Sequence, residues 1–208
     1  MNEFSRRQQL FVGLTLFSMF FGAGNLIFPP FLGAQAGSAL VPAIFGMAVS
    51  AVGLPVLGVV AVAQAGGLHP LAARVHPKFA SLFTLLAYLS IGPCLGIPRT
   101  ATTSFEMAVL PFAVQSPVWM RALYSLVFFA AAFVVALNPD RLTDRLGKVT
   151  GPALLALIAV IVIVCLLRHP GGTAVPAGNF ATHPAIQGFL EGYQTMDTIA
   201  ALNFGIVI

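Results

Sequence analysis

Asp197 stands near the centre of an apolar run, 186–208, where an acidic side chain costs about 2.5 to 3.5 kcal/mol to insert into a bilayer. That cost marks it as a cation ligand or a proton carrier. A second reading has it cap a half-helix, because Thr195 to Thr198 could open the second part of a broken helix. Arg99 and Glu106 lie seven positions apart, two turns of a regular helix, so they share a face but are too distant to pair. A gate over a water-filled vestibule is one reading of these two. The other is a charge that anchors a helix end by snorkelling to the surface.

A different kind of chemistry is offered by Gly22-Ala23-Gly24-Asn25-Leu26-Ile27-Phe28-Pro29-Pro30. The prolines remove two amide donors and disfavour helix at Phe28, and the glycines relax the backbone. A helix is expected to break here. Within hydrocarbon an unsatisfied backbone group costs several kcal/mol, so a break at depth persists where protein, water, ion or substrate satisfies it. Such discontinuous helices form substrate and ion sites in many secondary transporters. The plainer alternative is a proline kink whose glycines pack against a neighbouring helix.

The elements that must carry these residues are membrane helices. Of the 208 residues 58% are hydrophobic and 8% charged, against about 25% charged in a soluble domain. No Asp, Glu, Lys or Arg occurs from Gln8 to Ala73, and further runs without them cover 79–98, 122–139 and 149–167. With about 20 apolar residues needed per crossing, the charge gaps and turn residues predict six helices in a single transmembrane domain, 1–208. They run at about 9–36 (broken near 22–30), 39–63, 79–110, 119–137, 148–167 and 186–208 (broken near 193–198). Turns are expected at Gly66 to Pro70, at Asn138-Pro139-Asp140 and from Pro170 to Gly178.

An N-terminus inside the cell puts Arg6, Arg7, Arg74, Lys78, Arg141, Arg145 and Lys148 on cytoplasmic segments and Arg99, Arg121 and Arg168 outside, the distribution the positive-inside rule favours. The net charge of +4 sits in short clusters between apolar runs, not on a basic face with interleaved aromatics, so no nucleic-acid partner is expected. Cys94 and Cys165 read as small packing residues inside spans, and no metal-ligand spacing occurs. His69, His76, His169 and His183 fall in loops without a partner for catalysis. The chain stops within an apolar run, from which a fragment with a missing C-terminal half is expected.

The run Phe20-Phe21-Gly22-Ala23-Gly24-Asn25-Leu26-Ile27-Phe28-Pro29-Pro30-Phe31-Leu32-Gly33 resembles the first-helix signature of the bacterial branched-chain amino acid:cation symporters, carriers of leucine, isoleucine and valine. The segments Gly92 to Glu106 and Glu191 to Leu202 are similar to that family's third and sixth helices. The resemblance covers the whole chain and implies a multi-pass protein of about twelve helices in the bacterial inner membrane. More distantly, Gly22-x-Gly24-Asn25 followed by Phe28-Pro29 resembles the unwound first helix of the LeuT-like (APC-type) inverted-repeat fold. That all-α polytopic architecture would place the first repeat and the sixth helix in this chain, with helices one and six broken around substrate.

The same resemblance implies roles. Asn25 would coordinate a cation, with Phe21, Asp197 and Thr198 as cation-binding or coupling residues, and Gly22, Ala23, Gly24, Asn25, Leu26, Tyr193 and Thr195 would bind substrate. Arg99 and Glu106 would gate. The coupling ion would be Na+ ahead of H+, with no other metal, no cofactor, and no obligate protein partner beyond substrate and membrane lipid. Leu26 and Ile27 replace polar or aromatic residues of other branches. The competing classes are a carrier of another small neutral solute, a channel, and an intramembrane enzyme. A channel would need a continuous polar pore or repeated filter, and an enzyme a nucleophile and base at depth; the sequence offers neither, so it is not read as an enzyme.

Overall fold

In a computed structural model of the chain, residues 5–113, 117–137, 146–168, 172 and 174–204 are described. Helices account for most of them, and no strand occurs among the described residues. The expected turn at Asn138-Pro139-Asp140, with Arg141 and Arg145, lies outside the described residues, as do His169, Pro170 and the end of the sixth span after Phe204. The chain divides into two compact units, Met1–Gly22 with Ser116–Gly172, and Ala23–Gln115 with Thr173–Ile208.

In the first unit, α1 (Arg6–Phe20) packs on a π-turn at Leu146–Thr150 and on the helix it leads into, α9 (Gly151–Leu167). Its two hydroxyls are satisfied locally: Thr15 donates to the Phe11 carbonyl and Ser18 to that of Leu14, each at 2.9 Å. This removes the cost of carrying polar atoms in an apolar helix. Helix α8 (Val118–Ala136) buries none of its side chains, and α9 buries only Gly151. Helices apolar on every side belong in a membrane or a large core.

The second unit carries α2 (Ala23–Ala36), α3 (Leu40–Ala48), α4 (Leu54–Ala65), α5 (Leu68–Ala73), α6 (Pro77–Leu89), α7 (Gly96–Ala108), α10 (Pro184–Tyr193) and α11 (Asp197–Phe204). Its core joins Leu32, Ala36, Ala43, Met47 and Phe180. Glycines let α3 and α10 meet backbone to backbone: a Cβ on Gly46 would strike the Ala185 carbonyl, and one on Gly188 the carbonyl of Ala43. Close approach through small residues gives dispersion contact where lipid supplies no hydrophobic drive. Gly37, at φ 49°, turns the chain between α2 and α3, and the Ser38 N–H donates to the Ala174 carbonyl at 3.1 Å.

Four stretches are long and apolar enough to cross a membrane among the described residues: Ala23–Ala65, Pro77–Phe112, Val118–Ala136 and Lys148–Leu167. The molecule is thus an all-helical polytopic membrane protein. Several details differ from expectation. The first helix is interrupted only at Phe21 and Gly22, and helical geometry runs through Pro29 and Pro30. Proline's fixed φ suits a helix, although it removes its own N–H and its ring crowds the carbonyl four residues back. The third helix, expected to be continuous over 79–110, is interrupted between Gly92, at ψ −118°, and Leu95, at φ −131°. Cys94 and Cys165 are exposed rather than packed inside. The sixth helix divides at Gln194–Met196, where Met196 takes φ 67°, a left-handed conformation uncommon for a residue other than glycine.

Candidate functional site at two helix interruptions

The site is built from the start of α2, the divide between α10 and α11, and one side chain of α7. Gly24 is buried against Thr195: a Cβ there would lie 3.1 Å from the Thr195 Cα, 3.3 Å from its carbonyl oxygen and 3.4 Å from an Arg99 guanidinium nitrogen. One residue on, the Asn25 side chain hydrogen-bonds the Asp197 carboxylate, as does that of Thr195. Thr195 Oγ1 has one proton for two acceptors, since the Gly192 carbonyl lies at 2.8 Å. Asp197 is the first residue of α11, where a negative charge complements the helix dipole. It is only 9% exposed.

The end of α10 is equally occupied. The Gly192 carbonyl takes the Thr195 N–H and the Tyr193 carbonyl that of Met196, at 3.3 and 3.2 Å. The Gln194 carbonyl accepts from Arg99 at 2.9 Å. Arg99 also stands 5.1 Å from the centre of the Phe28 ring on α2. A guanidinium at a helix C-terminus and over an aromatic face is held by the dipole and by the ring quadrupole, each worth about 1 kcal/mol. One cation thus connects all three elements.

One further residue was not singled out from sequence. Glu191, 6% exposed, accepts from Gln187 Nε2 at 3.0 Å and Gln194 Nε2 at 3.4 Å. A second acidic residue within the sixth apolar run, six positions before Asp197, was its signal.

Of the residues proposed from sequence, Gly24, Asn25, Arg99, Thr195 and Asp197 come together here. Ala23 begins α2, and Thr198 follows Asp197 on α11. Leu26 and Tyr193 are exposed, 37% and 49%. Glu106 is exposed two turns beyond Arg99 and is not among the converging residues. Phe21 and Gly22 belong to the first unit, at the end of its segment Met1–Gly22. His76 turns out to cap α6, its Nδ1 accepting from the Lys78 N–H at 3.2 Å. No group of three or more His, Cys, Asp or Glu is arranged for a transition metal among the described residues.

A buried carboxylate with half-buried amide and hydroxyl groups at interrupted helices suits binding better than bond-breaking chemistry. Comparison with known proteins fits that reading: residues 5–208 match the family described as branched-chain amino acid transport protein. The chain belongs to that family. It is similar to the branched-chain amino acid permease BrnQ of Corynebacterium glutamicum, with 45% identity over 98% of this chain and 47% of that protein. Against the permease BraB of Bacillus subtilis the identity is 41%, over 97% of this chain and 46% of the relative. The branched-chain amino acid transport system 2 carrier protein of Pseudomonas aeruginosa gives 42%, over 96% and 46%. The chain therefore spans about half the length of the curated relatives it matches. These relatives are named as permeases and carriers, not enzymes. No solved structure matches the chain.

Proposed function

We propose that this chain supplies the central binding elements of a secondary carrier that imports leucine, isoleucine and valine together with a cation, sodium ahead of a proton. The observation that carries the reading is the meeting of two helix interruptions, Gly24 against Thr195, with Asn25 bonded to Asp197 across the same junction. Backbone amides at the start of α2 would receive the substrate carboxylate, favoured by the dipole of that half-helix. Asn25, Asp197 and Thr198 would hold the cation. The arrangement accords with a LeuT-like inverted repeat, in which the first and sixth helices break around a fixed site that opens alternately to each side. Arg99, drawn across the junction, would act as a gate. The positive-inside distribution supports an inner-membrane protein with a cytoplasmic N-terminus.

Uptake of labelled leucine into vesicles containing the full-length protein, under separately imposed sodium and proton gradients, tests this. The expected result is saturable uptake driven by sodium. Isoleucine and valine should compete with affinities within about 100-fold of leucine, because a methylene in an apolar pocket is worth about 1 to 3 kcal/mol. Uptake driven by the proton gradient alone would transfer coupling to Asp197 as a proton carrier. No response to either gradient would remove the symport reading, and transport of a different neutral solute would then be the alternative.

A further inference from the structure

The helical stretch after Gly37 contains a π-turn at Val49–Gly53, between α3 and α4. Within it the Leu54 N–H donates to the Val49 carbonyl, five residues back, rather than to Ser50. The next donor in line for the Ser50 carbonyl would be residue 55, and that is Pro55, which has no N–H. The π-turn and the proline therefore withhold the two donors that α- and π-helical geometry would offer this oxygen. A buried carbonyl must find another partner, and Ser50 has no exposed surface. The partner comes from 148 residues away: Thr198 Oγ1 donates to the Ser50 carbonyl at 3.3 Å.

The surrounding packing holds this contact in place. Gly192 lets α10 lie directly on the Ser50 side chain, where any Cβ would collide with Ser50 Oγ. Gly58 of α4 lies against α11, with Ala201 at 3.3 Å and the Thr198 carbonyl at 3.9 Å from a Cβ built on it. Ser50 Oγ uses its own proton on the Met47 carbonyl, at 3.2 Å. It does not compete with Thr198.

A hydroxyl has one proton and two lone pairs. Once the Thr198 proton is committed to Ser50, only lone pairs remain for anything else that the hydroxyl meets. It stands next in sequence to Asp197. We infer that Pro55 and the π-turn are positioning elements for the cation site: the freed Ser50 carbonyl fixes Thr198 Oγ1 as an obligate acceptor, oriented to coordinate a monovalent cation beside Asp197. This rests on the reading of Thr198 as a cation ligand given above. It adds the stretch around Ser50 to a site already drawn from α2 and α11, through an outer partner that aims the ligand, as outer partners do in other metal sites.

The test uses full-length protein in vesicles, with leucine uptake measured against external sodium and, separately, against leucine at saturating sodium. Thr198→Val should raise the half-saturating sodium concentration about tenfold, the lower range for disturbing a ligand set, and Thr198→Ser should return it to within about threefold of the parent. Pro55→Ala restores an N–H that competes for the Ser50 carbonyl. It should raise half-saturating sodium about threefold, while the KM for leucine at saturating sodium moves by less than about twofold. Pro55→Val supplies the same N–H if the alanine variant inserts poorly. Should Thr198→Val shift sodium dependence while neither Pro55 variant does, the positioning role is overturned and the cation site stands. Equal shifts in sodium and leucine dependence in the Pro55 variants would also overturn it, as a general structural effect. Sodium dependence unchanged in Thr198→Val would instead remove Thr198 from the site itself.

Discussion

The second unit contains two helix interruptions that differ in what surrounds them. At Gly92–Leu95 the helix breaks and restarts with little around it: a Cβ on Gly92 would touch nothing within 4 Å, and Cys94 and Leu95 are exposed. At Gln194–Met196 the carbonyls of Gly192, Tyr193 and Gln194 all have donors, two of them from residues of the break and one from Arg99. Asp197 is buried, with partners from α2 and from the break itself. Glycine and proline can open a helix anywhere. A site forms where side chains from distant segments converge on the opening, and the third-span break contributes to one by restarting the helix so that Arg99 reaches the other.

The largest expected effect tests that contrast directly. Gly24→Leu places four carbons where even a Cβ lies 3.1 Å from the Thr195 backbone. Overpacking of this kind costs about 1 to 3 kcal/mol where neighbours can shift, and here the neighbour is main chain. Leucine uptake should fall below detection while membrane insertion, followed by the amount of protein in the vesicles, persists. Cys94→Leu, at the exposed interruption, should leave uptake within about twofold, as surface substitutions usually do. Comparable losses in both variants would erase the distinction between the two breaks.

Asp197→Asn comes next. It keeps the shape and removes the charge. Hydrogen bonds to a charged group are worth about 1.5 to 3 kcal/mol, so the half-saturating cation concentration should rise about 10- to 100-fold. An unchanged cation dependence would reduce Asp197 to a cap of α11.

The elements of the site were legible in the sequence to the extent that they depend on local backbone chemistry. Gly22-Ala23-Gly24-Asn25 and Thr195-Met196-Asp197 announce interruptions because glycine relaxes the backbone and an acidic residue is costly in hydrocarbon. How far an interruption extends was misjudged at Pro29 and Pro30, since a missing donor does not by itself unwind a helix. Partner choice was not legible. Arg99 finds a carbonyl 95 residues away and Thr198 one 148 residues away, and no periodicity encodes such pairings. Ser50 gave no polar signal at all, because the group that matters is its main-chain oxygen. Glu106 illustrates the converse: it shares a helical face with Arg99 in sequence spacing, yet it is exposed away from the convergence.

Arg99→Lys should have a smaller effect than loss of Asp197, because the positive charge at the end of α10 is kept. What is lost is the planar fork and its stacking on Phe28, worth about 0.5 to 1 kcal/mol at a partly exposed site. Leucine uptake at subsaturating substrate should drop about two- to fivefold, and Phe28→Leu in the same background should add little, since both changes remove one contact. Fully additive losses would separate the ring from the guanidinium and weaken the case that Arg99 ties α2 to the sixth-span break.

Glu191→Gln should be the mildest. The carboxylate accepts from two amide nitrogens, and the elements packed against α10, which are α2, α3, the π-turn at Val49–Gly53 and the turn at Gly178–Phe180, carry no ionisable side chain. A glutamine keeps one oxygen acceptor but turns an NH2 toward one of the donors. One amide must then flip. Gln187 is the harder of the two to turn, because its Oε1 already accepts from Asn179 Nδ2 at 3.5 Å; Gln194 holds only the longer bond to Glu191. Gln194 should therefore yield, at a cost of about 1 kcal/mol for the mismatched pair. Its main-chain carbonyl, and with it the Arg99 contact, stays in place. The expected outcome is a melting temperature lowered by a few degrees in detergent, with leucine uptake within about threefold of the parent. A loss of uptake as large as that of Asp197→Asn, at unchanged melting temperature, would make Glu191 part of the transport chemistry and extend the site one turn up α10.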